Sequence, residues 1–579
     1  APLIDGVLGV RVAGVYDTNN GGGIDNLSTG FDDQEAKAYS GRLSTIWQPI
    51  DTLETQLIYQ YLDRKNDNPL AMSGTDQFDP PARPTLKPDD RKALAPSDDY
   101  ADFDFTLVNL ITDWEYMNHQ VTGIIAYADS NKPAQNDTDR AYSLQYVNTE
   151  GPTFQSPETK AESTSYELRV ASMDNAFWNY MVGLYYQDQN TTTTFEQNGV
   201  RLDVSGLGFQ TNGKLPVNSN NFAVFTFNTF NLTDTLQLEA GLRWTDYDLY
   251  RRADIFFGGL TWVPPALERF KDQIEQGFAA RFPIEGIPED QESDSDNAVT
   301  GSAALRWDWR EDTNLYISYN RGYRPGGISI VPSPDIVFLP NGVNDLLYDE
   351  ETSDAFEIGS KSRLWDGRAT LNTALYYQTF DGYLGFVRGV QVLNDQGQPV
   401  DLPGGIVFNG DANIWGVEVD GQVLLTETWN AGGTLSYSKG EWDGASQPCN
   451  IRAPGQVLGS CDIDSLNSEY FYPLADATEV YVRGLFKYTD DRINTEASAG
   501  TYNVLENFES YQILDAFVGW RASDQRWDLS VWAKNLTDED AVIFQQGPDQ
   551  YDIAVSGGSY TQTNTIPERI FGMTARYNF

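Results

Sequence analysis

The chain closes on Arg569-Ile570-Phe571-Gly572-Met573-Thr574-Ala575-Arg576-Tyr577-Asn578-Phe579. Successive side chains of an extended strand point to opposite faces. Phe571, Met573, Ala575, Tyr577 and Phe579 therefore share one face, and Ile570, Gly572, Thr574, Arg576 and Asn578 the other. One face is apolar with aromatic ends; the other is mostly polar and carries a charge. The same reading fits the stretch before it, where Trp527, Leu529, Val531 and Ala533 oppose Asp528, Ser530, Trp532 and Lys534. It fits Leu236, Leu238, Ala240, Leu242 and Trp244 against Gln237, Glu239, Gly241, Arg243 and Thr245, and Val480, Val482, Phe486 and Tyr488 against Tyr481, Arg483 and Lys487. A soluble sandwich alternates too, so one strand decides nothing. Charges on the second face sit badly in a packed core and well in a wide aqueous lumen. Repetition over the whole length predicts an all-β transmembrane antiparallel β-barrel, with Trp527, Leu529, Phe571 and Tyr577 towards lipid and Lys534, Arg483 and Arg243 towards the lumen.

The connections alternate as well. Short turns such as Gln48-Pro49-Ile50-Asp51, Asn231-Leu232-Thr233-Asp234, Trp309-Arg310-Glu311-Asp312 and Trp365-Asp366-Gly367-Arg368 carry turn residues. Between them lie long polar stretches near 63–98, 131–162, 191–218, 252–297, 324–352, 383–404 and 439–477. Short turns on one side and long loops on the other are the asymmetry of outer-membrane barrels. This phasing predicts roughly twenty strands of about ten residues, the first at Gly6–Tyr16 and the last at Arg569–Phe579. A helical period appears only in Pro265–Phe278, where Leu267, Phe270, Ile274 and Phe278 form a stripe. It predicts a short amphipathic helix packed on its own loop.

Composition narrows the function. With 39 basic and 84 acidic residues the formal net charge is −45, which argues against nucleic acid as a partner. The single histidine, His119, argues against a histidine metal site or a Ser/His/Asp triad, and the carboxylates are spread over loops with no compact catalytic pair. No apolar run reaches the length of about 18 residues that a membrane helix needs. Cys449 and Cys461 fit neither a CxxC motif nor a zinc site and predict a short-loop disulfide in an oxidising compartment. A transporter is expected, a passive diffusion porin is the alternative, and a secreted β-rich enzyme or lectin comes third.

Several segments resemble the TonB-dependent outer-membrane receptors, and they occur in that family's order. Tyr316–Gly327 reads YISYNRGYRPGG, and Glu351–Gly367 reads ETSDAFEIGSKSRLWDG, followed by RATLNTALYYQTFDGY. Val417–Val419 stands in NIWGVEVDG, Trp527–Asp540 reads WDLSVWAKNLTDED, and the chain ends on the aromatic Phe579. The resemblance implies the barrel portion, residues 1–579, of a 22-strand receptor in the outer membrane of a Gram-negative bacterium. It implies active uptake of a scarce large nutrient: a ferric siderophore-type complex first, otherwise a cobalamin-like molecule or an oligosaccharide. Implied partners are the energising inner-membrane TonB complex, outer-membrane lipid and lipopolysaccharide, and the nutrient; no cofactor and no catalytic residue are implied. The family also has an N-terminal plug, and APLIDGVLGVRVAGVY resembles its third strand, so a plug and a first hairpin are expected to precede this chain.

Candidate ligand contacts are Arg321, Tyr323 and Arg324, where a strand meets a long extracellular loop. Arg and Tyr suit anionic or aromatic ligands, and equally suit rim structure. Acidic clusters at Glu289–Asp296 and Asp349–Glu351 could hold Ca²⁺ or remain solvated charge runs.

Overall fold

Alternation becomes ladder in the computed structural model, which describes residues 2–20, 23–27, 34–67, 72–74, 85–87, 90–93, 99–137, 154–173, 177–202, 207–280, 284–285, 293–328, 347–387, 390–393, 399–402, 406–442, 458–473, 479–489, 492–493, 507–522, 526–546 and 561–577. One antiparallel sheet of 24 strands dominates. Four are short pieces: Pro2–Ile4, Tyr100–Ala101, Asp254–Trp262 and Ile284–Glu285. The rest form a meander. Its first half is β1 (Leu8–Asn20), β2 (Glu35–Ile50), β3 (Leu53–Asp67), β4 (Phe103–Tyr116), β5 (His119–Asp137), β6 (Phe154–Ser172), β7 (Trp178–Leu202), β8 (Leu207–Thr233), β9 (Leu236–Arg251) and β10 (Ser293–Arg310). Its second half is β11 (Thr313–Arg324), β12 (Glu351–Leu364), β13 (Ala369–Val387), β14 (Ile406–Thr426), β15 (Trp429–Trp442), β16 (Leu458–Pro473), β17 (Glu479–Thr489), β18 (Tyr511–Arg521), β19 (Trp527–Lys534) and β20 (Ile570–Tyr577). Each pairs with its neighbour in this order, from Tyr16 opposite Tyr39 to Trp527 opposite Tyr577. Among the described residues no ladder joins β1 to β20.

At one end the connections are tight: Ile50 to Leu53, Tyr116 to His119, Thr233 to Leu236, Arg310 to Thr313, Leu364 to Ala369 and Thr426 to Trp429. Met117 and Asn118 both take positive φ, 46° and 64°, the signature of a two-residue hairpin whose twist matches the strands. His119 sits there, its ring between the Met117 carbonyl (2.8 Å) and the Tyr180 hydroxyl (2.7 Å), a turn histidine. The long connections all lie at the other end.

Three boundaries differ from the sequence reading. The polar stretch 191–218 is mostly strand, because β7 and β8 continue through it; Thr191–Thr194 are β-branched and take strand geometry readily whether or not a membrane surrounds them. The stretch 439–477 contains β16. The first strand is a hairpin, with Pro2–Ile4 folded back on β1 through the left-handed Gly6 (φ 68°). Phe579 lies outside the described residues. The expected helix is present as a 3₁₀ turn, Glu268–Phe270, running into α1 (Lys271–Ala279). It packs on its own loop: Phe278 stacks on Phe257 at 5.7 Å, and the Leu260 amide donates to Glu275 at 3.2 Å.

The registers separate two faces. Leu57, Leu110, Ile125, Tyr166, Tyr186 and Phe222 stand in one row across β3 to β8, and Val482, Val518, Val531 and Met573 in another across β17 to β20. Trp527, Leu529, Phe571 and Tyr577 belong to this apolar face and are exposed. Arg483, Phe517, Trp532 and Gly572 form a row on the opposite face, which Lys534 shares. An unpaired Arg or Lys facing lipid near midplane would cost about 2–4 kcal/mol, so the apolar face is the outer one and Arg243, Arg483 and Lys534 face the lumen.

Candidate functional site

Lumen-facing aromatic rings are paired with glycine. Tyr316 stands directly opposite Gly359, Tyr376 opposite Gly416, Tyr481 opposite Gly519, Trp532 opposite Gly572, and Phe225 opposite Gly183. In each pair the ring lies where a Cβ on the glycine would be. The rings are thus laid flat on the wall, covering backbone that glycine leaves bare, and the bore beside them stays open.

Cations are seated on these rings and their neighbours. Arg243 lies 5.1 Å from the Tyr185 ring and 5.7 Å from Phe225, Lys361 5.8 Å from Tyr316, Arg483 5.5 Å from Phe517, and Lys534 5.5 Å from Trp532. Among the described residues Arg243, Lys361 and Lys534 have no carboxylate within ion-pairing distance, although acids share the wall. Those acids serve others: Glu239 holds Arg306 at 3.0 Å, Asp528 holds Arg521 at 3.1 Å, and Glu357 accepts the Tyr316 hydroxyl. Glu469 of β16 stands directly opposite Arg483, whereas Arg243 faces Phe225 and Thr300, Lys361 faces Asn314 and Asn372, and Lys534 faces Ile570. In a chain of net charge −45 these three place positive charge on aromatic surface inside the barrel, a surface that suits an anionic, partly aromatic solute. Sequence reading placed Arg243, Arg483 and Lys534 in the lumen but could not show which of them lack carboxylates, since their neighbours lie tens of residues away.

The structure does not assemble Arg321, Tyr323 and Arg324 into one constellation. Arg321 stands opposite Asp354 on the face of Ile317, Ile358 and Phe356, which is the outer face. Its guanidinium Nη1 reaches both Asp354 oxygens, at 3.1 and 2.9 Å. Arg324 lies on the face of Tyr316 and pairs with Glu351 at 2.6 Å; Glu351 also accepts the Leu384 amide at 3.0 Å. Tyr323 reaches past the point where the β10–β11 ladder stops, at Gly301 opposite Arg321, and donates its hydroxyl to Asp296. Asp296 lies on the extracellular extension of β10. Burial pushes its carboxyl up, but hydrogen bonds with Tyr323, Glu350 and the Asn297 amide outweigh burial and hold it below the ordinary aspartate value. The three residues act as ties at the mouth, and Arg324 alone remains on the lumen side.

Asp296 and Glu351, from the two acidic clusters, are engaged by these same partners. No group of three His, Cys, Asp or Glu side chains that could hold a metal occurs among the described residues. Cys461 is on β16, opposite Ser438, and not in a loop; Cys449 lies outside the described residues.

Known proteins place this architecture. Residues 51–536 match the family described as TonB dependent receptor-like, beta-barrel. The chain belongs to the TonB-dependent receptors. These receptors are outer-membrane β-barrels of Gram-negative bacteria, transporters and not enzymes, that work with TonB and bind ligands such as siderophores. No curated protein matches the sequence. Among solved TonB-dependent receptors, the ferric yersiniabactin uptake receptor FyuA from Yersinia pestis is similar at 17% identity and a TM-score of 0.71, covering 100% of this chain and 76% of that one. The ferric-catecholate import receptor Fiu from E. coli K12 is similar at 16% identity and a TM-score of 0.69, covering 100% and 78%. The ferripyoverdine receptor of Pseudomonas aeruginosa follows at 13% identity and 0.66, covering 100% and 69%. At these identities the likeness concerns the fold. Among the described residues no helix is long and apolar enough to cross a membrane; the receptor crosses with strands.

Proposed function

We propose that this receptor takes up a ferric siderophore-type complex across the outer membrane, driven by the inner-membrane TonB complex. One observation carries the choice of ligand. Among the described residues, Arg243, Lys361 and Lys534 face the lumen on aromatic rings with no carboxylate within ion-pairing distance. Such a surface attracts a large anionic chelate with aromatic groups more than it attracts a neutral oligosaccharide. The three named neighbours, receptors for ferric yersiniabactin, ferric catecholate and ferripyoverdine, support the same class.

The test is uptake of ⁵⁵Fe-labelled ferric catecholate by cells whose only outer-membrane iron receptor is the full-length protein. Accumulation that stops when the proton gradient is collapsed is the expected result. Accumulation indifferent to the gradient, together with a steady ion conductance in planar bilayers, would mean passive diffusion instead.

A further inference from the structure

Connections from the two ends of the meander meet on the extracellular side. In the β19–β20 connection Val542–Gln546 pairs antiparallel with Thr561–Thr565. Met72–Gly74 of the β3–β4 connection adds a third strand, with Met72 opposite Thr563. Met72–Gly74 also lies beside Lys92–Ala93 of its own connection. Lys92–Ala93 runs parallel to Asp25–Asn26 of the β1–β2 connection. There the Asp25 and Leu27 amides donate to the Arg91 and Ala93 carbonyls, both at 2.9 Å.

Arg91 is the point where these connections come together. Its Nε donates to the Gly23 carbonyl at 3.0 Å and lies 3.0 Å from Glu568 Oε1. Its φ of 48° is left-handed, uncommon for a residue with a side chain. Gly23 is packed against the ion pair: a Cβ there would stand 3.4 Å from Arg91 Nη2 and 3.5 Å from Glu568 Oε2. Glu568 is held from both sides. Asn535 Nδ2 donates to the Pro567 carbonyl at 3.0 Å, and Asp538 accepts the Arg569 amide and guanidinium, each at 3.0 Å. Leu86, Ala93 and Ile566 are buried although none belongs to a wall strand. Apolar side chains in a connection lose water only where another segment covers them.

We infer that the β1–β2, β3–β4 and β19–β20 connections form one clasp, keyed by Arg91, that fixes this side of the mouth as a rigid rim and ties the extracellular ends of the first and last strands of the meander together. A moving lid has few buried apolar contacts and few hydrogen bonds to its surroundings. The clasp has both, so its three connections open and close as a cooperative unit. The Glu568 side chain is half-exposed, and the ion pair alone contributes little. Arg91 matters because one side chain serves all three connections at once.

The test is amide hydrogen exchange on the full-length receptor in detergent. In the wild type the Asp25 and Leu27 amides and those of Thr561–Thr565 should exchange slowly. Arg91→Met should speed exchange several-fold in both segments together, although Thr561–Thr565 lies outside the connection that carries the substitution. Lys87→Met, the same loss of charge from an exposed residue of that connection, should leave both as they are. M72C/T563C should cross-link under mild oxidation of the folded receptor, because opposed Cα atoms of an antiparallel pair lie within disulfide reach. The cross-link should raise the unfolding temperature until reductant is added. Arg91→Met that speeds exchange only at 23–27 and 85–93 overturns the single unit. So does wild-type exchange at Asp25 and Leu27 as fast as in an unstructured peptide, which would make the segment a lid, or a cysteine pair that links only after unfolding.

Discussion

Arg321 and Asp354 form a two-contact ion pair, 3.1 and 2.9 Å, on the outer face of the barrel, in line with Ile317 and Ile358. The Tyr319 hydroxyl also donates to Asp354, and its ring leans on Phe356 at 5.0 Å with the planes tilted by 40°. A charge turned towards lipid is tolerated here because its counter-charge is in the next strand. Asp354→Leu should leave Arg321 alone and destabilise the barrel by about 2 kcal/mol. Replacing both, as R321L/D354L, should recover most of that loss. Reversible denaturant unfolding in a bilayer measures both; a double variant as unstable as the single one would show that the pair does not act as a unit.

The flattened rings give a second prediction. Gly359→Ala places a methyl group into the Tyr316 ring. Overpacking of this kind costs about 1–3 kcal/mol, so folded yield in the outer membrane should fall. Combining it with Tyr316→Ala removes only the ring, since the Thr373 backbone carbonyl also lies 2.6 Å from the added carbon, so yield should recover in part relative to Gly359→Ala alone. The heat-modifiable gel shift of folded barrels reads the outcome, and Gly359→Ala folding like the wild type would count against a fixed ring.

Uptake should depend on the ring-seated cations. Lys361→Ala and Lys534→Ala each remove a lumen charge that no directly opposed acid balances. If each contributes one charge-assisted contact, about 1.5 kcal/mol, the apparent KM for a ferric catecholate should rise on the order of tenfold per residue with surface expression unchanged. Lys→Ala at Lys160, which already pairs with Glu158 on the outer face, should leave uptake alone. Equal effects from all three would mean general destabilisation and not ligand contact.

Cys449 and Cys461 are proposed to be disulfide-bonded. Closing so short a loop contributes roughly 3 kcal/mol in the chain-entropy treatment, felt at the outer end of β16. Peptide mass mapping without reductant should find the cross-linked pair; two free thiols would remove it.

Period-two alternation made the wall legible in advance. It separated Trp527, Leu529, Phe571 and Tyr577 from Lys534, Arg483 and Arg243, and turn residues marked Ile50–Leu53 and Thr233–Leu236. Where the chain has no lipid to face, that pattern fades, so the outer reaches of β7 and β8 read as polar connection; β16 reads as loop for another reason, because Asp462, Asp464, Asn467 and Ser468 break the apolar alternation in a strand whose register lies between β15 and β17. Opposed pairs were invisible for a different reason. Nothing near Gly359 in sequence announces Tyr316, and Asp63 meets Asp104, 41 positions further on, only because the β3–β4 ladder places them together. Arg321 and Arg324 look like neighbours in the sequence, yet an odd spacing sends them to opposite sides of the wall.

Among the described residues the β7–β8 hairpin has the longest strands. Its strands run 25 and 27 residues, about 80–90 Å of chain at the usual rise. Tilted at about 45°, they rise about 60 Å, roughly twice the height of the apolar band. The hairpin therefore stands as a mast above the membrane on one side of the mouth. Among the described residues it reaches furthest out, so a large particle descending on it meets its tip before the strands beside it. Shortening it symmetrically beyond Thr191 and Val217 would lower that fence without touching the pore.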